Sequence, residues 1–219
     1  MKTILIIPCF NDNHHLKQML NSGTIKNFNL DILVVDDGSE EKFSNKDINV
    51  NFHLIRNKIN RGKGYSIRKG FSHALNRGYT HAITIDADLQ HDPKYIENFI
   101  QIDSSIDIVI GARSFGGDMP VLRRLSNSIT SFIVSSMTNK SVHDSQSGYR
   151  RYKLENSPFD ICREDGFQFE SEILINSLRK KDTSLEHVSI PTLYNNEKSS
   201  INNTLDTYKF IKLIIRKII

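Results

Sequence analysis

The chain has 219 residues, of which 38% are hydrophobic and 25% charged. That balance describes a soluble globular protein with enough chain for a substantial core in one large domain, and it excludes a disordered polymer. The net charge of +4 is mildly basic, which suits nucleotide phosphates or an anionic membrane surface as readily as nucleic acid.

In chain order, Thr3-Ile4-Leu5-Ile6-Ile7-Pro8 comes first. Its apolar stretch is too short for a signal peptide and lacks a small-residue cleavage site, so it reads as a buried strand. Cys9 follows; with Cys162 it forms neither a metal spacing nor a disulfide framework, and a reducing cytosol is expected. Further apolar runs at 31–35, 51–55, 82–86 and 107–111 alternate with helical patterns near 13–21, 62–77 and 93–102. This alternation predicts an α/β fold, a mostly parallel sheet with helices on both faces. Asp92 and Pro93 mark a helix start, while Arg77 and Gly78 mark a helix end. Beyond Gly111 the rhythm changes. A Gly116-Gly117 loop precedes a helix over roughly 120–137, then a loop and strand at 147–152, a helix near 168–180 and a strand at 185–190. A terminal helix begins at about 204, giving one domain over 1–203 and an amphipathic helix over 204–219. No stretch approaches the roughly 18 apolar residues of a membrane-spanning helix.

The chemistry concentrates where strands end. Asp86-Ala87-Asp88-Leu89-Gln90-His91 follows the run at 82–85, so two carboxylates one residue apart face the crevice where open α/β sheets bind ligands. Such a pair suits a hard divalent cation that bridges to substrate phosphates. The second strand ends in Asp36-Asp37-Gly38-Ser39, which reads either as a nucleotide contact or as a turn and cap. Asn60-Arg61-Gly62-Lys63-Gly64 lacks the third glycine of a dinucleotide fingerprint, and no P-loop occurs. These glycines allow a loop and helix start to approach a nucleotide, with Arg61 or Lys63 near its phosphates.

The ordered motifs P-C-F-N-D, V-D-D-G-S, N-R-G-K-G, D-A-D-L-Q-H, G-A-R, D-S-Q-S-G-Y-R and F-Q-F-E resemble the family 2 glycosyltransferases. Within that family they resemble most the branch of dolichol-phosphate mannose synthase and polyprenyl-phosphate sugar transferases. The resemblance spans roughly residues 3–200. It implies a GT-A fold, a GDP- or UDP-sugar donor, a Mg²⁺ or Mn²⁺ ion and inversion at the anomeric carbon. It places Pro8, Phe10, Asp12, Val35 and Asp37 along the base and ribose, and Asp86 and Ala87 at the donor. Asp88 and Gln90, with Asp86, would hold the metal.

The resemblance also implies a polyprenyl phosphate acceptor. Such a phosphate is already anionic near neutral pH and needs cations to position it more than a general base. Arg113, Arg123, Arg124 with Ser126, and Arg150 supply guanidinium forks suited to phosphate. Glu170 occupies the place of an acidic residue that serves as base in relatives with hydroxyl acceptors, and is read as base or orienting group. His91 is read as a third metal ligand or a support for its loop. The synthases carry a basic R-x-x-G-x-S-K pattern late in the domain. Here the corresponding stretch runs Tyr194-Asn195-Asn196-Glu197-Lys198-Ser199-Ser200, with Lys198 the one cation able to stand in.

At about 100° per residue, Lys209, Lys212, Arg216 and Lys217 fall on one side of the last helix. Phe210, Ile211, Ile214, Ile215 and Ile218 fall on the other. The helix either lies on an anionic bilayer or docks on the domain. The sequence therefore predicts a transferase at the cytoplasmic membrane face, with a peripheral membrane contact or membrane-protein partner and no nucleic acid. Two alternatives are a transferase acting on a sugar hydroxyl in surface polysaccharide assembly, with Glu170 or Asp144 as base, and a non-catalytic nucleotide-sugar-binding protein.

Overall fold

The structure is a computed structural model and describes residues 1–114, 121–191 and 203–219. Seven strands form one sheet: β1 (Thr3–Cys9), β2 (Asp31–Asp36), β3 (His53–Arg56), β4 (His81–Thr84), β5 (Ile108–Arg113), β6 (Arg150–Lys153) and β7 (Leu185–Ile190). Their order across the sheet is β3-β2-β1-β4-β6-β5-β7. Every pairing is parallel except those of β6, which runs antiparallel between β4 and β5. The α-helices among the described residues are α1 (Asn13–Leu20), α2 (Gly23–Asn27), α3 (Lys63–Asn76), α4 (Ile96–Gln101), α5 (Val121–Thr138), α6 (Phe169–Leu178) and α7 (Asn203–Ile218).

β1 explains why its sequence is an unbroken apolar run. It lies in mid-sheet with helices over both faces, so all of its residues are buried. The two-residue strand period divides it between two cores. Ile4 and Ile6 pack with Ile67 and Phe71 of α3 and with Ile173 and Leu174 of α6. Leu5 and Ile7 pack with Leu16 and Met19 of α1 and with Ile96 and Phe99 of α4. The helix end read at Gly78 has its physical basis: Gly78 adopts φ 74°, and the amides of Gly78 and Tyr79 donate to Leu75 O and Ala74 O. Asp92 caps the next helix by accepting from the Lys94 amide at 2.9 Å.

β6 is the element that alternation alone did not foretell as antiparallel. Its two adjacent arginines point to opposite faces and are both fully buried. Arg151 donates to the carbonyls of Phe99, Ile102 and Asp103 and so satisfies the end of α4. Arg150 donates to the carbonyls of Ser145, Ser147 and Glu170, which ties the D-S-Q-S-G-Y-R loop to the first turn of α6. This corrects the reading of Arg150 as a phosphate fork: its donors serve backbone carbonyls inside the protein. α6 itself is buried almost all round, with only Asn176 partly accessible.

Candidate active site

Parallel register gathers the motif residues at one edge of the sheet. Pro8 pairs with Val35 and Cys9 with Asp36, while Asp86 and Asp88 leave the end of neighbouring β4. Pro8, Val35 and Ala87 are buried, and Phe10 is exposed beside them. Two non-glycine residues here have left-handed backbone, Asn11 at φ 52° and Leu89 at φ 58°. L-residues visit that region rarely, and such strain clusters at functional loops. Asn11 is fixed by its amide donating to Ser39 Oγ at 2.9 Å and by its Oδ1 accepting from the Glu40 amide at 2.8 Å. The turn at Leu89 lets the Gln90 amide donate to Asp88 Oδ1 at 3.0 Å.

The D-D-G-S motif is committed to building this edge. Asp36 pairs with the Arg56 guanidinium and accepts from the Ser39 amide. Buried Asp37 accepts from Asn57 Nδ2 at 2.7 Å, the Arg61 amide at 3.0 Å and the Gly62 amide at 2.6 Å. Asp37 thus holds the N-R-G-K-G loop, a role the sequence did not signal. Gly62 has φ 104°, and a Cβ there would lie 2.4 Å from Asp165 O, so only glycine fits this helix entry. Asp12 meets His15 Nδ1 at 2.6 Å, a pairing the sequence did not signal.

Lys63 opens α3 and reaches across the site. Its ammonium lies 2.6 Å from Asp86 Oδ1 and 2.7 Å from Glu170 Oε1. Burial opposes its charge, but the two carboxylates outweigh this and raise its pKa above the ordinary lysine value. Burial likewise opposes ionisation of Asp86, yet Lys63, with His91 and Arg113 beyond it, holds that carboxyl below the usual range. Among the described residues no cation pairs with Asp88: burial and then the neighbouring Asp86 push it up to about 6, against a smaller pull from Lys63. Asp88 therefore carries a negative charge that the described residues compensate poorly, which a bound cation would correct. Among the described residues no three His, Cys, Asp or Glu side chains are grouped to hold a metal. Asp86 and Asp88 supply carboxylate oxygens and Gln90 an amide oxygen, the donor type that a hard divalent cation takes.

His91 is fully enclosed, and burial lowers its pKa to about 4. Among the described residues neither ring nitrogen has a hydrogen-bond partner, and the ring packs 5.4 Å from that of Tyr149. Arg113, at the end of β5, forms a two-pronged bridge to the buried carboxylate of Asp144 at 2.7 and 3.0 Å. Burial opposes ionisation of Asp144, and Arg113 outweighs it and keeps that carboxyl ionised. Arg123 and Arg124 lie half-buried in the first turn of α5. Lys198 lies outside the described residues.

The structure thus brings together Asp86, Asp88, Gln90 and Glu170, and adds Lys63 and Gly148 to them. Lys63 was legible as a cation near the phosphates, but its bridge to Glu170 needs the fold. Gly148, in the turn before β6, carried no sequence signal beyond its place in S-G-Y-R.

Residues 4–172 match the family model for glycosyl transferase family 2. The chain belongs to that family. It is therefore a glycosyltransferase, and the seven-stranded sheet with its flanking helices is the GT-A fold. An uncharacterized protein of Methanocaldococcus jannaschii is 31% identical over 98% of this chain and 91% of its own length. The UDP-N-acetylglucosamine–dolichyl-phosphate N-acetylglucosaminyltransferase of Methanococcus voltae is 31% identical over 87% of this chain and 85% of its own. The crystal structure of glucosyl-3-phosphoglycerate synthase from Mycobacterium tuberculosis, solved with Mn²⁺ and UDP-glucose, superposes with a TM-score of 0.75. It covers 98% of this chain and 78% of that one at 13% identity, a likeness of fold alone.

Proposed function

We propose that this glycosyltransferase moves a sugar from a GDP- or UDP-sugar to a polyprenyl phosphate at the cytoplasmic face of a membrane, with inversion at the anomeric carbon. One observation carries the choice of acceptor. Both acidic residues considered as bases, Glu170 and Asp144, are ion-paired, to Lys63 and Arg113 respectively. A hydroxyl acceptor must lose a proton during attack, whereas a phosphate monoester presents an oxygen that is already ionised. The match to a dolichyl-phosphate transferase over most of both chains supports the same class, as do the undecaprenyl-phosphate mannosyltransferase of Micrococcus luteus and the dolichol-phosphate mannosyltransferase of Pyrococcus furiosus.

In this reading Asp86, Asp88 and Gln90 would hold Mg²⁺ or Mn²⁺, and the ion would supply charge neutralisation for the departing nucleoside diphosphate. Pro8, Phe10, Asp12, Val35 and Ala87 line the nucleotide, and Asp37 shapes its site by fixing the loop at 57–62. Arg113 and Arg123, near the end of β5 and the start of α5, orient the acceptor phosphate. Lys198 belongs with the donor diphosphate.

No helix among the described residues is long and apolar enough to cross a membrane. Two helices instead expose apolar stripes: Val121, Leu125, Ile129 and Phe132 on α5, and Tyr208, Ile211, Ile215 and Ile218 on α7. Lys209 and Lys212 flank the second stripe, a combination suited to the surface of an anionic bilayer.

The test is transfer of labelled sugar from a panel of UDP- and GDP-sugars to short-chain polyprenyl phosphate in detergent micelles, with Mn²⁺ or Mg²⁺. A labelled lipid product with one donor is expected. Transfer to sugar hydroxyls with no lipid product would overturn the proposal.

A further inference from the structure

Lys63, Asp86 and Glu170 come from three separate elements, α3, the end of β4 and α6, and meet through one buried ammonium. Gly148 closes the fourth side. A Cβ at 148 would lie 2.5 Å from Asp86 Oδ2, 2.7 Å from Lys63 Nζ and 2.8 Å from Glu170 Oε1. All three contacts are polar side-chain ends, so glycine here makes room for the charged cluster and not for a special backbone shape. Arg150 locks the same corner from behind by binding Glu170 O and the carbonyls of the loop that carries Gly148.

From this geometry we infer that Lys63 is a positioning residue for sugar transfer. It is a fixed cationic strut that holds the donor-side carboxylate Asp86 and is itself anchored by Glu170, which acts as the counter-ion of the strut and not as a proton acceptor. Three carboxylates, those of Asp86, Asp88 and Glu170, face a site proposed to receive a doubly charged diphosphate. Without the ammonium their combined charge would oppose the donor. A metal neutralises part of that charge only when bound, whereas Lys63 is covalently present throughout. Two anions flank this one cation, so removing the cation leaves Glu170 as an uncompensated buried charge. Removing Glu170 as well relieves that charge but leaves Asp86 without its cation, so the double replacement is less harmful than loss of Lys63 alone and does not rebuild the strut.

This rests on the donor site lying at Asp86, and the test keeps the two ideas apart by measuring nucleotide binding without an acceptor. Isothermal titration with UDP and with GDP, each with Mn²⁺, is compared for wild type, Lys63→Met, Glu170→Gln, the double variant and Gly148→Ala, with circular dichroism and thermal melts checking the fold. Lys63→Met is expected to weaken binding of the preferred nucleotide tenfold or more. Adding Glu170→Gln to it should recover only part of the lost affinity, the mark of a relieved charge at Glu170, and stay below wild type because Asp86 still lacks its cation; full recovery would overturn the strut. Gly148→Ala, which alters no charge, should weaken binding by displacing the ammonium. Full affinity in Lys63→Met would overturn the inference. So would a double variant as weak as Lys63→Met, because that makes Lys63 a direct ligand of the nucleotide. Wild type binding neither nucleotide would instead remove the donor-site reading on which the strut depends.

Discussion

At the scale of single residues, Asp88 and Asp37 look alike in sequence and differ in what surrounds them. Asp88 is half-buried and pushed up to about 6 by burial and then by Asp86, so its carboxylate costs the folded protein stability, a cost that sets in above the ordinary carboxylate pKa and is full above about 6. Asp88→Asn is expected to leave the melting temperature at pH 7 unchanged or higher, while metal-dependent sugar transfer falls at least 100-fold, the scale of effect seen when a positioned charge stabiliser is removed. Undiminished transfer at saturating metal would remove it from the cation site. Asp37 accepts three hydrogen bonds in a buried place, so Asp37→Ala should behave oppositely. It takes the acceptor from one Asn57 N–H and two backbone amides, and a loss of about 1–3 kcal/mol in urea denaturation is expected along with weaker nucleotide binding. Denaturation unchanged from wild type would return Asp37 to a purely ligand-facing role. The D-x-D pair and Glu170 were legible in sequence because their spacing relative to strand and helix ends survives as a pattern. The partners of Glu170 and Asp144 were not, because Lys63 and Arg113 reach them across elements far apart in the chain.

At the scale of elements, α7 shows how a helical wheel can be right in its period and incomplete in its assignment. The sequence set basic residues against isoleucines and left open whether the helix docks or meets a bilayer. The structure divides both sets. Leu213 and Ile214 face the domain, where Arg216 and Lys217 bind the buried Glu172 carboxylate at 3.0 and 3.2 Å. Tyr208, Ile211, Ile215 and Ile218 face outward. A helix with two apolar sides cannot be resolved by pattern alone, since the pattern does not say which side has a partner. Tyr208→Ser/Ile211→Ser/Ile215→Ser is expected to release the protein from vesicles of mixed neutral and anionic lipid in flotation assays. Activity on a water-soluble short-chain acceptor should remain within about threefold of wild type, because these side chains touch neither core nor site. Equal flotation of variant and wild type would place the membrane contact elsewhere.

At the scale of the whole molecule, strand-helix alternation made the parallel half readable, while β6 was readable as a strand but not in direction. Its four residues enter between β4 and β5 only because Arg150 and Arg151 find buried carbonyls on either face, a long-range arrangement with no local signature. The far edge of the sheet also carries a response to acid. His187 of β7 stacks on His143 at 4.2 Å, and burial, followed by the charge of His143, lowers its pKa to about 4. The unfolded chain binds a proton there below about 6.5 and the folded chain does not, so this group's contribution to stability is full above that pH. The contribution is lost as pH falls from 6.5 toward 4. His187→Gln is therefore expected to show a shallower fall in melting temperature between pH 7 and pH 4.5 than wild type. Parallel curves for the two proteins would exclude His187 as a source of acid sensitivity.

The clamp between α7 and Glu172 bears on how this protein can be trimmed or engineered. Glu172 is fully buried; one oxygen receives the amides of Arg163 and Glu164, and the other receives Arg216 and Lys217. Cutting the chain at 203 would strip both cations from an enclosed carboxylate, a change that costs about 3–5 kcal/mol and threatens the whole fold. A laboratory form freed from lipid is thus better made by recolouring the outer stripe of α7 than by deleting the helix. By the same logic, changes in that outer stripe leave the fold standing, while Arg216 and Lys217 are bound to the interior.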